Sequence, residues 1–235
     1  DLTGLEIAEG NTFRWEGSYH GDMGVAQTHD TQLNVFGDFD PKVPSQSTSP
    51  KVLFCANLVP ILQSKVLEQA TGTRLSMLDS MNLWIEIAKE DLLSVMKRVD
   101  LIIINDGEVR MLAEDDNLIR ASRTLIRMVG CQTLIIKKGE HGVVAFHDGE
   151  IISLPAYPTE NIVDPTGCGD SFAGTIAAFL ASNDGKLTRN ELREALVRAT
   201  VTASFTLESF GTSGLLALDN EMFSSRLNEF EAILS

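Results

Sequence analysis

Asp164-Pro165-Thr166-Gly167-Cys168-Gly169-Asp170 runs straight into Ser171-Phe172-Ala173-Gly174-Thr175-Ile176-Ala177-Ala178-Phe179-Leu180. Phe172, Ile176, Phe179 and Leu180 recur at helical spacing, whereas Pro165, Gly167 and Gly169 disfavour a helix interior. A glycine loop entering a helix N-terminus is the expected local structure. The first turn of a helix presents unpaired N–H groups and about half a positive charge, and glycines let an anion approach them closely. Asp170 is out of place in such a site, because a carboxylate repels a bound phosphate. It gains a purpose if it takes the proton from a hydroxyl that attacks phosphorus. The residues alone leave a plainer alternative open, in which the glycines shape a loop and Asp170 caps the helix.

With 235 residues and 43% hydrophobic content, the chain can bury a substantial core as a single domain over 1–235. No apolar run approaches the roughly 20 residues needed to cross a bilayer. The net charge of −14 argues against nucleic acid or an anionic membrane as partner, since either is approached through a repulsive field. A polyanionic substrate therefore needs a local island of positive charge or a metal. Cys55, Cys131 and Cys168 have no CxxC spacing, which suggests neither a disulfide framework nor a zinc site, and a reducing cytoplasm is the expected compartment. His20, His29, His141 and His147 have no ligand spacing and are expected at the surface or in loops.

Upstream, Thr12 to Tyr19 and Thr31 to Phe36 are short β-prone runs with Gly21 and Gly24 between them, expected as strands of a small separate sheet within about 11–36. A Ser- and Pro-rich linker spans Pro41 to Pro50. Beyond it strands (51–56, 74–79, 101–105) alternate with helices (60–70, 91–97). That alternation predicts a parallel sheet covered on both faces, with ligands at the carboxyl ends of the strands. The polar residues there are Asn57, Asp79 with Asn82, and Asn105 with Glu108. A carboxylate such as Glu108 is a good oxygen ligand for Mg²⁺, although it also suits a helix first turn for purely structural reasons. Later, Thr133 opens a strand ending in the basic pair Lys137-Lys138. Gly139 to Gly142 forms a turn, and a strand follows over 143–146. Asp148-Gly149 marks a hairpin, Thr188 caps a long helix from Arg189, and Asp219 caps a last amphipathic helix carrying Met222, Phe223, Leu227, Phe230, Ile233 and Leu234. Neither a P-loop nor a dinucleotide glycine fingerprint is present.

Asp164 to Gly174 resembles the C-terminal signature of the PfkB, or ribokinase-like, family of carbohydrate and nucleoside kinases. The resemblance implies an α/β fold: a three-layer sandwich with a mostly parallel central sheet and a small β lid over the sugar, which in some members is also a homodimer clasp. It implies an ATP- and Mg²⁺-dependent kinase that phosphorylates a primary hydroxyl of a small-molecule sugar or nucleoside. Asp170 stands where the family has its catalytic base, and Gly167, Cys168 and Gly169 form its anion hole, with Cys168 replacing a small residue and bearing on pocket volume and thiol sensitivity. Asn105 and Glu108 match an Asn-x-x-Glu motif tied to phosphate and, through water, to Mg²⁺. Lys137, Gly139 and Gly142 match the nucleotide-binding turn, with Lys138 expected to face the opposite side of the strand. Asn34 and Asn57 are candidates for substrate contact. Asp164 and Thr166 lie where some members bind a monovalent cation, which allows K⁺ activation. Asp79 to Asn82 resembles an Asp-x-Asn segment of sugar kinases, with Leu83 and Trp84 where an arginine often follows. The family also begins with several tens of residues that carry a Gly-Gly motif, so the sequence, opening at Asp1, is expected to start within the fold. A non-catalytic nucleotide-binding protein with the same fold is the competing expectation.

Overall fold

The structure is a computed structural model that describes residues 2–21 and 26–235, so Gly24 of the expected lid lies outside the described residues. Two strands come first, β1 (Arg14–Tyr19) and β2 (Ala26–Gln32), paired antiparallel as a sheet of their own. The expected strand at 31–36 is corrected. β2 ends at Gln32, Asn34 adopts a φ of 50°, and the chain turns through a 3-10 helix over Asn34–Asp38. Aromatic stacking accounts for the turn, with Phe36 5.7 Å from Phe13 and 5.6 Å from Phe39 between ring centres.

The main body follows as β3 (Val52–Cys55), α1 (Pro60–Gln69), β4 (Leu75–Asp79), α2 (Asn82–Ile87), α3 (Lys89–Met96), β5 (Leu101–Asn105), α4 (Asp106–Ala113), α5 (Leu118–Val129), β6 (Thr133–Lys137), β7 (Val143–His147), β8 (Glu150–Leu154), α6 (Cys168–Ser182), α7 (Arg189–Leu207), α8 (Ser213–Ala217) and α9 (Asn220–Ile233). Strands β3 to β8 form one six-stranded sheet in sequential order, parallel from β3 to β6 and antiparallel at β6–β7 and β7–β8.

Side chains alternate between the two faces of a strand, and here each face has its own core. Leu75, Met77, Leu101, Ile103 and Ile135 join Phe172 and Ile176 of α6, Leu196 of α7 and Phe230 of α9. Leu78, Ile102, Ile104, Leu134 and Ile136 join Leu92 of α3, Val109 of α4 and Leu125 of α5 on the other side. Helix, sheet and helix make the three layers expected from the strand–helix alternation.

The capping residues behave as their chemistry predicts. Thr188 and Glu191 form a reciprocal capping box at the start of α7, and Asp219 accepts from the Met222 N–H at 2.8 Å. On α9, Phe230 is buried and Phe223, Leu227 and Leu234 pack on the core, but Met222 and Ile233 are about half exposed, which narrows the expected apolar face. The surface expectation fails for His147. It is 3% exposed, with Nδ1 2.8 Å from Thr133 Oγ1 and Nε2 3.3 Å from the Leu187 carbonyl. Two partners on flanking elements make an internal position tolerable for it. The 41–50 segment also packs, with the Val43 N–H donating to Gln69 Oε1 at 2.9 Å and Gln69 Nε2 donating to the Pro41 carbonyl at 2.9 Å. Among the described residues, no helix is long and apolar enough to cross a membrane.

Candidate active site

Strand parity brings the site together. Asp79 continues the face of Leu75 and Met77, and Lys137 continues the face of Ile135, so both project from the carboxyl ends of their strands toward the α6 layer. β5 lies between β4 and β6, with Asn105 registered opposite Lys137. Lys137 reaches across that strand end, and Nζ donates to Asp79 Oδ2 at 3.0 Å and Oδ1 at 3.2 Å. Its ammonium also comes so near the first turn of α6 that a Cβ added to Gly169 would lie 3.2 Å from Nζ. Lys138 has the opposite parity, as expected, and its Nζ donates to the His141 carbonyl at 3.3 Å.

The glycine loop enters α6 as its composition requires. Gly167 is the N-cap with φ 84°, a conformation that side chains disfavour, and Cys168, Gly169 and Asp170 form the first turn. The loop is held from below, because the Leu207 carbonyl at the end of α7 accepts the N–H groups of both Val163 and Asp164, at 3.0 and 3.1 Å. Asp164 Oδ1 accepts the Thr166 N–H at 2.9 Å. The Cys168 N–H, expected in the anion hole, donates to the Pro165 carbonyl at 3.1 Å, while those of Gly167, Gly169 and Asp170 meet no acceptor among the described residues. Three backbone donors are therefore left unpaired among the described residues where the helix dipole is positive. The Asp170 side chain is exposed and makes no hydrogen bond among the described residues.

Cys168 turns its side chain toward α7. Its Sγ lies 3.6 Å from the Ala203 carbonyl, and burial, with Asp164 and Asp170 nearby, raises the thiol pKa to about 11. A thiol so protonated is a poor nucleophile.

Asn105 and Glu108 form a reciprocal capping box on α4, with each side chain accepting the other's backbone N–H at 2.8 Å. Glu108 is only 4% exposed, and burial pushes its carboxyl up to about 7, opposed by the Asn105 N–H and by Lys137. A buried carboxylate of this kind gains from a nearby cation, which fits Mg²⁺ held by one carboxylate and waters. Asp79 is also raised by burial, against the lowering pull of Lys137. No cluster of three metal-ligating side chains occurs among the described residues.

The turn between β6 and β7 is built from two different glycines. Gly139 has φ 55° and open space around it, whereas Gly142, at φ 79°, lies so close to the Leu154 carbonyl that a Cβ would overlap it. Of the two substrate candidates, Asn34 donates to the Thr12 carbonyl at 2.7 Å and stands just beyond the end of β2. Asn57 accepts from Trp84 Nε1 at 2.8 Å and lies 3.2 Å from the Met81 sulfur. Its amide thus braces the 79–84 segment. A contact not anticipated from the sequence is that of Tyr19, at the end of β1, whose hydroxyl accepts from Thr166 Oγ1 at 3.2 Å.

Residues 61–217 match the family model described as pfkB family carbohydrate kinase. A cytidine kinase of Thermococcus kodakarensis is 32% identical over 213 residues, covering 85% of this chain and 71% of that protein. Fructokinase-2 of Oryza sativa subsp. japonica is 33% identical over 112 residues, covering 47% of this chain and 33% of that protein. In structure, the Burkholderia thailandensis nucleoside kinase solved with inosine superposes with a TM-score of 0.75 at 17% identity, covering 95% of this chain and 71% of the other.

Proposed function

Because this chain belongs to the pfkB family of carbohydrate kinases, we propose that it transfers the γ-phosphoryl group of ATP to a primary hydroxyl of a sugar or nucleoside, with Asp170 as the general base. The observation that carries this reading is the pairing of an exposed, unpartnered Asp170 carboxylate with three unpaired N–H donors in the first turn of α6. A site that only bound phosphate would gain nothing from that carboxylate, whereas an acceptor hydroxyl beside it loses its proton as the new O–P bond forms.

Gly167 and Gly169, with the Asp170 N–H, stabilise the charge developing on the transferred group, and the Lys137 ammonium adds a positive charge beside Gly169. Lys137 is the local positive charge that a chain of net −14 needs in order to hold a triphosphate. Gly139, with open space where a side chain would stand, leaves the nucleotide room to approach the turn. Mg²⁺, when bound, neutralises phosphate oxygens, and Glu108 would hold it through water. The same reading extends to K⁺ activation at Asp164 and Thr166. Two relatives are named for cytidine and fructose, so nucleosides and ketohexoses are the acceptors to test first.

The test is acceptor-dependent ADP release with MgATP across ribose, fructose, cytidine, adenosine and inosine. Asp170→Asn is expected to lower kcat by about 10²- to 10⁴-fold with ATP binding nearly kept. Near-normal turnover in that variant refutes the assignment of the base.

A further inference from the structure

We propose that Asp79 is a positioning residue that acts through Lys137, holding the ammonium against the first turn of α6 where the transferred phosphoryl group is met. The inference rests on the reading of this loop as the phosphoryl-transfer site.

Lysine carries its charge on a flexible four-carbon stem, so a lysine at a strand end does not by itself aim at one point. Here the aim is fixed from two strands away. Asp79 ends β4 and Lys137 ends β6, both on the α6 face, and the pair closes over the end of β5 with both carboxylate oxygens within 3.2 Å of Nζ. The carboxylate is itself held, because Oδ1 accepts the Ser80 N–H at 2.8 Å. The Asp79 side chain is 6% exposed and that of Lys137 is 21% exposed, so the anchor is buried and the lysine it holds keeps some access to solvent beside Gly169. Glycine at 169 is part of the device, since a side chain there would crowd Nζ at 3.2 Å. A pair that served only to join strands would have no need to place its cation at a helix N-terminus, where the dipole is already positive and a second positive charge is unfavourable without an anion between them.

A double-mutant cycle on the full chain tests this, with kcat/KM for ATP, KM for the acceptor and thermal unfolding as readouts. Asp79→Asn keeps the shape and an acceptor for the Ser80 N–H. It and Lys137→Met are each expected to lower kcat/KM for ATP by about 10- to 100-fold while KM for the acceptor stays within about two-fold, the loss of one charge-assisted contact to phosphate. In the Lys137→Met background, Asp79→Asn is expected to cost no further activity. An undiminished effect of Asp79→Asn in that background, or a change of less than two-fold in the single variant, overturns the proposal. Asp79→Glu keeps a charge for Lys137 and carries the same cycle if the asparagine variant does not fold. Asp170→Asn in the same assay separates the two readings: its failure to lower turnover sinks the base assignment, while the cycle still reports on the pair.

Discussion

Glu108 combines two duties that pull against each other. Its carboxylate accepts the Asn105 N–H and starts α4, yet its burial favours the neutral acid, with a pKa near 7 instead of 4.5. Below pH 4.5 the group is protonated in both folded and unfolded chains. Between 4.5 and about 7 the unfolded chain gives up the proton first, so stability falls as pH rises through this window and levels off above it. Asp79, also raised, contributes with the same sign. Glu108→Gln keeps a capping-box acceptor and abolishes the titration. Relative to the parent, the variant is expected to gain stability across pH 4.5 to 7, by about 3 kcal/mol at most, in urea unfolding without Mg²⁺. Parallel pH curves for the two proteins would contradict it. Among the residues, Asp170, Glu108 and Lys137 were legible as candidates from the sequence and its family resemblance. Asp79 was legible only as a strand-end polar residue. Its pairing with Lys137 depends on β5 lying between their strands, a relation that no local pattern carries.

Elements announced by strong local chemistry match closely: Leu101–Asn105 lies where four consecutive aliphatics put it, and α7 begins behind Thr188. Weaker signals misled or were silent. The short α2 has no side-chain cap, and residues 31–36 divide between a strand and a 3-10 turn that aromatic packing imposes. The β6–β7 connection shows how little freedom a correctly read element can have. Gly142 combines a positive φ with direct apposition to the Leu154 carbonyl of β8 and Pro155. Gly142→Ala adds strain and overlap with backbone that cannot move away, and is expected to destabilise the protein by about 2 kcal/mol or more. Gly139→Ala, with open space around it, is expected to cost less. Equal melting temperatures for the two variants would refute the distinction.

Across the whole molecule, stability is unevenly shared. The six-stranded sheet is buried on both faces, whereas β1 and β2 form a two-stranded ribbon, a unit that is marginal in water by itself. Amides of 14–19 are therefore expected to exchange with deuterium orders of magnitude faster than those of 101–105, and slower when acceptor and nucleotide are bound. Equal protection of the two segments in the free protein would contradict this. The three-layer architecture was legible because alternation of strand and helix is a property of the chain, but the meeting of Tyr19 with Thr166 was not, because 147 residues separate them. The Leu207 carbonyl that receives Val163 and Asp164 gives α7 a further significance. The nineteen-residue helix works as a ruler, measured from the Thr188 cap to the point where the glycine loop is hung. One residue added within it would turn that end by about 100° and carry it about 1.5 Å along the axis, swinging the suspension point of the glycine loop away from the sheet that supplies Lys137.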